Sequence, residues 1–459
     1  MTSISRKMAE FTAGLLFDDI PQDAIYEAKR FLLDSVGCAL AATQNEDMQA
    51  MYRFTEKLGG TPEATVIGTG FKTNAPNAAL MNGLLIRALD YNDIYWVQDP
   101  SHPSDLLGAA LAAAQANGRN GPDLLVATVI AYELEMRWCH AATPGIREVG
   151  WHHASLTQFV SPLVAGKLYG LGIDQLIAAM GISGSSHFTL GGVVAGHLTN
   201  MKNTADPLAA QAGVIAAMMA REGYEGPVHV IEGKEGLIEV LNNVTWDMDA
   251  LLDGLGNEFL ITKCSYKAFP TEALTHQPIS AALKVISEHE ILPDQIQEIL
   301  VKTTTRGADI LSDPSKYKPD TKETADHSLP YVIAAAVVDG NVLPESFEED
   351  KLRDPDIRST LQKIKVVADP EIDAIFPDIK RATVTITLID GSKHSAQTDY
   401  AKGSPEDPLS DDDLFAKFRA NAHKTMSEGR ISDIFEQTMS FESVSTLEPY
   451  MNLLVSEKS

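Results

Sequence analysis

The pattern of apolar and polar positions predicts helices for most of residues 1–262. In residues 5–45 apolar side chains recur at the spacing of an amphipathic helix, and Pro21-Gln22-Asp23 is typical of a helix start. Later runs rich in Ala, Leu and Met are apolar on nearly all sides, which is the pattern of buried helices. They cover residues 76–90, 105–118, 122–140, 155–170, 174–184 and 204–222. One short strand is predicted at residues 64–68.

The pattern changes after residue 262. One more amphipathic helix is predicted at 271–289, followed by β-branched segments at 296–305 and 364–367. Residues 383–388 alternate with period two and meet a turn at Asp390-Gly391, which predicts a hairpin. From residue 410 onward the pattern is helical again, over residues 411–420, 431–439 and 444–455.

These patterns together predict a mainly α fold with an α+β part. The large all-helical domain comprises residues 1–262 and is completed by residues 410–459. Residues 263–409 form a smaller α+β lid domain inserted between the two helical segments.

Composition narrows the class of protein. Hydrophobic residues make up 44% and charged residues 22%, which is typical of a soluble globular protein. No apolar run is long enough to span a membrane, and the N-terminus lacks the apolar stretch of a secretory signal. The three cysteines, Cys38, Cys139 and Cys264, are far apart, so we expect no disulfide framework and a cytoplasmic location.

The net charge of −26 disfavours binding to nucleic acid, because no basic surface exists to release counterions. An anionic ligand must instead meet basic residues gathered locally. Five polar segments interrupt the apolar pattern, and four of them place a basic or His residue at the start of an element. They are Asp90 to His102, Gly150 to His153, Asn200 to Thr204, Ser265 to Glu272 and Glu323 to Tyr331.

Helix N-termini bind anions, so several such starts converging with Lys and His side chains would form a polycarboxylate pocket. The alternative interpretation is structural, with these residues acting as helix caps, core aromatics and solvated charges. Other chemistries lack their signatures. The chain has no GxxxxGK[ST] loop, His152-His153 is not an HExxH motif, and the cysteines are too scattered for an iron–sulfur cluster. We therefore expect no metal and no cofactor.

The polar segments also carry a family likeness. The most specific motifs are Leu89-Asp90-Tyr91-Asn92-Asp93 with His102-Pro103-Ser104-Asp105, then Lys267-Ala268-Phe269-Pro270, and Thr324-Ala325-Asp326-His327-Ser328-Leu329-Pro330-Tyr331. With them, residues 5–440 resemble the MmgE/PrpD family. The resemblance implies a helical domain with an α+β lid, a homodimer, and an active site in the cleft between the domains. It also implies cofactor-free chemistry on a small-molecule di- or tricarboxylate.

Matching motif by motif, the resemblance implies catalytic roles for a set of six residues and substrate-binding roles for an overlapping set. The catalytic set is Asp90, His102, His152, Lys202, Lys267 and Tyr331. The substrate-binding set is Lys202, Lys267, Asp93, Glu272 and Ser101. His102 and His152 are the candidate acid and base, since an unperturbed imidazole titrates near neutral pH. The lysines are candidate carboxylate clamps, one of which could serve as a desolvated neutral base.

The family contains several reactions, and the sequence favours one branch. The long Asp90–His102 loop and Glu272 resemble the dehydratase branch, whereas the decarboxylase branch has a shorter loop and a His in place of Glu272. Ile94 departs from the Thr that both branches have. The leading hypothesis is a hydro-lyase acting on a 2-methylcitrate-like hydroxy-tricarboxylate. The alternatives are an epimerase or isomerase of an aminodicarboxylate such as iminodisuccinate, a cis-aconitate-type decarboxylase, and a catalytically silent helical binding scaffold.

Overall fold

Long helices build the first half of the protein. The computed structural model describes residues 3–457. The helices of the first part are Ile4–Gly14, Gln22–Ala42, Glu46–Leu58, Ala75–Arg87, Leu107–Ala116, Gly121–Ala141, Ala154–Tyr169, Ile173–Gly184, Met201–Arg221, Leu237–Val240 and Met248–Leu252. Capping side chains fix the N-terminal ends of some of these helices. Asn74 and Asn120 each accept a hydrogen bond from the backbone N–H three residues further along the chain.

The C-terminal helices pack back onto this first part. They are Asp411–Ala422, Glu428–Met439 and Glu448–Leu453. Their apolar side chains share one hydrophobic core with residues from Ile4 to Tyr266, so the end of the chain completes the helical bundle. Within residues 3–457, no helix combines the length and the apolar character needed to cross a membrane.

The intervening segment forms a mixed sheet covered by helices. Its strands stand in the order Lys393–Thr398, Ala382–Leu388, Ile296–Thr303 and Ile364–Ala368. The last pair is parallel and the others are antiparallel. Its helices are His276–His289, Thr305–Leu311, Lys322–Ala325, Leu329–Asp339, Glu349–Leu352, Pro355–Leu361 and Pro370–Asp373.

This segment has a hydrophobic core of its own, which runs from Phe269 to Ala396 and includes Trp96 from the first part. We propose that the two cores correspond to the helical domain and the lid domain predicted from the sequence. Trp96 lies on the loop after Asp90, so this loop connects the two cores.

The structure confirms the predicted fold class, a mainly α protein with an α+β part. It also contains elements that the pattern did not predict, above all the Glu46–Leu58 helix. The segment predicted as a helix at 444–455 is helical only over Glu448–Leu453. The predicted strand at 64–68 is reduced to Ala64–Thr65, which pairs with Lys72–Thr73.

Close helix packing positions the loop that starts at Asp90. A Cβ built on Gly108 would lie 2.4 Å from the backbone nitrogen of Gly83, so only glycine allows the two helices to approach this closely. The first of them ends at Arg87, and the chain then turns at Asp90, which has a φ of 50°. Asp is one of the few residues other than glycine that adopts this left-handed conformation readily.

Candidate active site

A small buried pocket lies where the two cores meet. It has a volume of about 40 Å³ and opens into a cleft of about 1030 Å³. The structure brings six of the predicted residues to this pocket: Asp90, His102, His152, Lys202, Lys267 and Glu272. Ile94, Trp96 and Arg147 also line it, together with His327 from the lid segment. Five polar segments that are far apart in the sequence therefore contribute to one site.

The Asp90 carboxylate lies at the centre of three cations. Arg87 donates a hydrogen bond to Oδ1, Lys267 Nζ lies 3.0 Å from Oδ1, and Lys202 Nζ lies 3.2 Å from Oδ2. All four side chains are at most 4% exposed. Burial alone would raise the pKa of Asp90, but Lys202, Lys267 and Arg87 hold it well below its usual range.

Among residues 3–457, Asp90 is the one ion-pair partner of both Lys202 and Lys267, whereas Arg87 also lies near Asp105 and Asp206. Asp105 Oδ2 lies 3.5 Å from Arg87 Nε, and burial raises the pKa of Asp105 well above its usual range. A buried excess of positive charge is costly unless an anion is bound there. The pocket is therefore suited to a negatively charged ligand.

The two lysines have different surroundings. Lys267 Nζ meets three acceptors, namely the Asp90 carboxylate at 3.0 Å, the Asp90 carbonyl at 3.0 Å and the Thr271 carbonyl at 2.9 Å. These acceptors match the three protons of an ammonium group. Lys202 Nζ has its ion pair with Asp90 but no partner in hydrogen-bonding geometry. Burial and the charge of Arg87 lower the pKa of Lys202 to about 8.

His102 is held in one neutral tautomer. Its Nδ1 lies 2.6 Å from the carbonyl oxygen of Asp93, and its Nε2 lies 3.1 Å from Nη2 of Arg87. Because a carbonyl only accepts and a guanidinium only donates, Nδ1 carries the proton and Nε2 accepts from Arg87. Burial and the charge of Arg87 hold the pKa of His102 well below its usual range.

His152 is neutral as well, but in the opposite tautomer. Its Nδ1 accepts a hydrogen bond from the backbone N–H of Ala154 at 3.2 Å, so Nε2 carries the proton. Burial, with the adjacent ring of His153, holds the pKa of His152 well below its usual range. His152 therefore offers the pocket a hydrogen-bond donor.

His153 lies beside this donor and pairs with a different residue. Its ring centroid is 3.9 Å from that of His152, and its Nε2 lies 3.4 Å from Oδ1 of Asp206. Burial alone would raise the pKa of Asp206, but His153, His152 and Arg87 hold it low. Within residues 3–457 these three side chains, His152, His153 and Asp206, form the one group whose ligand atoms could hold a metal ion, all within 4.8 Å of one another.

Four polar residues that line the pocket were not selected from the sequence: Arg87, Arg147, His153 and His327. The Nδ1 of His327 lies 2.6 Å from Oδ1 of Asp326, which also accepts from Lys322 at 3.1 Å through its other oxygen. Burial and Lys202 lower the pKa of His327 to about 4, so the ring is neutral and the Nδ1 proton is donated to Asp326. His327 could have been selected from the sequence, since it lies inside the Thr324–Tyr331 motif.

The structure does not bring the side chains of Tyr331, Ser101 and Asp93 to the pocket. Tyr331 is buried in the core of the lid segment, and its hydroxyl donates to the Ser346 carbonyl at 2.7 Å. Asp93 points away from the pocket and accepts two hydrogen bonds from Ser104. These three residues are therefore left out of the proposed chemistry, although the Asp93 carbonyl still orients His102.

Ser101 instead takes part in a contact behind the pocket. Glu135 accepts hydrogen bonds from Ser101 at 2.8 Å and from Thr157 at 2.7 Å. Ser101 precedes His102, and Thr157 follows His153 by about one helical turn. Burial raises the pKa of Glu135 to about 7, so a substantial fraction carries a proton at neutral pH. Glu135 thus connects the two histidine-bearing segments.

Family models match both parts of the chain. The MmgE/PrpD N-terminal domain matches residues 6–247, and the MmgE/PrpD C-terminal domain matches residues 269–440. Residues 248–268 lie between the two matches, and the second match begins at Phe269 of the Lys267-Ala268-Phe269-Pro270 motif.

Individual relatives have two kinds of activity in their names. The chain is 26% identical to a cis-aconitate decarboxylase of Homo sapiens, with 99% of this chain and 95% of the relative aligned. It is 25% identical to a 2-methylcitrate dehydratase of Cupriavidus necator, with 83% and 80% aligned. A 2-methylcitrate dehydratase of Salmonella typhimurium is 24% identical, with 84% and 83% aligned.

Proposed function

The chain belongs to the MmgE/PrpD family, and on that basis we propose that it is a lyase of small polycarboxylates. We further propose that it eliminates water from a 2-methylcitrate-like hydroxy-tricarboxylate. Relatives named as dehydratases and decarboxylases support the lyase class. The proposal of a dehydratase reaction is supported by the chemistry of the pocket. It is also supported by Glu272, since a Glu at this position is typical of the dehydratase branch.

One observation carries the proposal: a buried carboxylate faces three buried cations, beside two neutral histidines. Lys202 and Lys267 share the single charge of Asp90, so a substrate carboxylate would compensate the remaining charge. A silent scaffold has no need for such an arrangement, because unpaired buried charge destabilises a fold. Elimination next to a carboxylate uses it, since negative charge develops on that carboxylate as the C–H proton leaves.

Lys202 is the proposed base. A weak carbon acid needs a base stronger than a histidine whose pKa lies well below its usual range, and both His102 and His152 are of that kind. The neutral form of Lys202 is accessible because its pKa is about 8. Lys202 would take the C–H proton and return it to the departing hydroxyl, so that one water leaves and the lysine ends neutral.

The other groups bind and orient. The positive charges of Lys267 and Arg87 would stabilise the substrate carboxylate on which charge develops. For Lys267 this effect acts through space, since its three protons already meet acceptors of the protein. His152 donates its Nε2 proton as a hydrogen bond to the leaving oxygen. His102 accepts from Arg87 and keeps the guanidinium in place.

Decarboxylation of a cis-aconitate-like tricarboxylate is the second candidate. The observation in its favour is coverage, since the cis-aconitate decarboxylases align with 95–99% of this chain and the dehydratases with 80–84%. The same cations would stabilise the carbanion left by CO₂. Glu272 favours dehydration over decarboxylation, because the decarboxylase branch has a His at this position.

Proton NMR of the purified protein in deuterated water tests the function. The substrates are 2-methylcitrate, citrate, cis-aconitate and iminodisuccinate, each incubated separately. Loss of water from 2-methylcitrate or citrate supports the dehydratase. Loss of CO₂ from cis-aconitate replaces it by the decarboxylase, and deuterium exchange without net change replaces it by the epimerase. No reaction with any of the four would contradict the lyase proposal.

We also propose that the protein is a homodimer. The Met201–Arg221 helix exposes Met201, Leu208 and Ile215, which are 45%, 40% and 43% accessible and recur every seven residues. Such a stripe lies on one helix face. Lys202 and Asp206 lie on the buried side of the same helix, so a second copy packed on the stripe would buttress the site from outside.

His152 should matter far more than its neighbour. We expect His152→Ala to lower kcat about 10²-fold, because it removes a hydrogen-bond donor to the leaving oxygen. His153→Ala removes the pairing with Asp206 and the ring beside His152, but no donor to the leaving oxygen, so kcat should stay within about fivefold. Steady-state kinetics on both variants, with folding checked by circular dichroism, measures the difference. Equal losses would show that the donor was assigned to the wrong histidine.

Turnover should not depend on a metal ion. Asp206 is already paired with His153, and Arg87 adds positive charge that disfavours a dication beside it. We expect EDTA treatment followed by gel filtration to leave kcat within about twofold. If activity fell about tenfold and Zn²⁺ or Fe²⁺ restored it, the three side chains His152, His153 and Asp206 would have to be treated as ligands.

A further inference from the structure

Two cations of the wide cleft have no partner. The guanidinium of Arg147 makes no hydrogen bond or ion pair with any residue in the described range 3–457, and neither does Nζ of Lys316. Lys316 is only 3% exposed. Both side chains line the cleft, Arg147 from the helical part and Lys316 from the lid segment, and Arg147 also lines the buried pocket.

The backbone of Arg147 is firmly held although its side chain is free. Asp99 accepts hydrogen bonds from the N–H groups of Ile146 at 2.8 Å and of Arg147 at 3.2 Å. A Cβ at Gly145 would lie 2.6 Å from Oδ1 of Asp99, so the glycine permits this contact. The guanidinium is therefore presented to the cleft by a fixed segment.

A neighbouring cation of the same cleft, Arg306, differs from Arg147 because it has an ion-pair partner. Arg306 forms an ion pair with Glu148 and lies over the ring of Trp96 at 5.1 Å. Arg306 also disfavours the charged form of Arg147, since burial and then this like charge lower the pKa of Arg147. Of these two adjacent arginines, Arg306 is ion-paired and Arg147 has no ion-pair partner among residues 3–457.

Glu272 is the acid that Arg147 and Lys316 share. It favours the charged form of both, and burial raises its own pKa. One of its oxygens already accepts from the backbone N–H of Leu274 at 2.6 Å. The charges of Glu148 and Asp99 also act on Arg147, and those of Asp313 and Asp326 act on Lys316. Among residues 3–457, however, no carboxylate lies within ion-pair distance of either cation.

We propose that Arg147 and Lys316 form a second anion subsite, which binds a substrate carboxylate remote from the reacting carbon. The proposal rests on the proposed function, because it assumes that the pocket at Asp90 binds the reacting end. Arg147 lines both the buried pocket and the cleft, so it lies at the junction that one substrate would span. Because the subsite has one cation from each side, a bound carboxylate would also draw the lid towards the helical part.

Calorimetric titration with two non-reacting acids tests the subsite. Tricarballylate carries three carboxylates and glutarate carries two, and neither has a hydroxyl to eliminate. The parent should bind tricarballylate about tenfold more tightly than glutarate. Arg147→Gln and Lys316→Met should each remove most of this preference while leaving glutarate binding within about twofold. Arg306→Gln is the matched control, since it removes a cation of the same cleft that already has a partner.

The outcomes separate this inference from the function. Equal binding of the two acids by the parent, or a loss of both in Arg147→Gln, overturns the second subsite and leaves the lyase proposal standing. Binding of neither acid by the parent overturns both. If Lys316→Met fails to fold, the result with Arg147→Gln is decisive, because the Arg147 side chain makes no hydrogen bond or ion pair within residues 3–457 that the substitution would break.

Discussion

Replacement of Lys202 by arginine should lower kcat about 10³- to 10⁴-fold while leaving ligand binding nearly unchanged. Arginine keeps the positive charge beside Asp90 but stays protonated, so it cannot take a proton from carbon. The size follows from the loss of general base catalysis, which contributes about 10²–10⁴-fold. Steady-state kinetics and calorimetry with tricarballylate separate the loss of chemistry from any loss of binding.

The pH dependence of the parent enzyme tests the same role of Lys202 as the base. The neutral amine is the active form, and its fraction rises as the pH passes upward through the pKa of about 8. Therefore kcat/KM should rise about tenfold per pH unit between pH 6 and 7.5 and level off above pH 8.5. A profile that is flat over this range would contradict the role of Lys202.

Lys417→Arg is the matched control for this substitution. Lys417 is also buried, but its Nζ lies 2.7 Å from Asp34 and 2.8 Å from the Tyr91 carbonyl, and its pKa is raised despite burial. It lies outside the pocket, so arginine there tests only the effect of a larger buried cation. We expect turnover within about threefold. A loss as large as that of Lys202→Arg would attribute both effects to packing.

Much of the fold follows from hydrophobic periodicity, and the exceptions have physical reasons. The helices that bury a continuous apolar face, such as Gly121–Ala141 and Ala154–Tyr169, coincide with predicted runs to within a residue or two. The Glu46–Leu58 helix was not predicted, although its buried residues Met48, Tyr52 and Thr55 recur at helical spacing, so the amphipathic signal was present in the sequence. The last segment was predicted too long because its apolar residues pack as irregular chain around Glu448–Leu453.

Residues of the site were predictable where chemistry and a helix start coincide, as at His152 and Lys202. Tyr331 shows the limit of this reasoning. Ser328 accepts from the N–H of Tyr331 and caps the helix there, so Tyr331 already lies in the first turn and faces the core. His327 precedes the cap and faces the pocket. Arg87 could not be predicted, because a basic residue in the last turn of a helix is ordinary without knowledge of the loop that folds back over it.

Tautomers and the division of labour between the lysines also required three-dimensional contacts. Sequence alone cannot indicate that Lys267 meets three acceptors and Lys202 only an ion pair, since those acceptors come from Asp90 and Thr271. The same contacts change the interpretation of the histidines. Both histidines are held neutral. They therefore serve as hydrogen-bonding groups, whereas the sequence had indicated an acid and a base that transfer protons.

Asp90→Asn should be the most destabilising single substitution in the site. It leaves Arg87, Lys202 and Lys267 buried without their shared anion, and removing one partner of a buried ion pair costs about 3–5 kcal/mol. Asparagine tolerates the φ of 50° at this position nearly as well as aspartate, so the loss reports on charge and not on backbone strain. Chemical denaturation of the variant and the parent measures the difference in the free energy of unfolding.

A bound polycarboxylate should restore part of that stability, and this effect distinguishes an anion pocket from a structural ion cluster. In Asp90→Asn the three cations are free to bind a carboxylate, so tricarballylate should raise the melting temperature of the variant more than that of the parent. Asp174→Asn, which breaks the exposed pair with Arg6, should change stability by less than about 1 kcal/mol and gain nothing from the ligand. If tricarballylate stabilised Asp90→Asn no more than this surface variant, the surplus charge would serve the fold alone, and the polycarboxylate pocket would lose its main support.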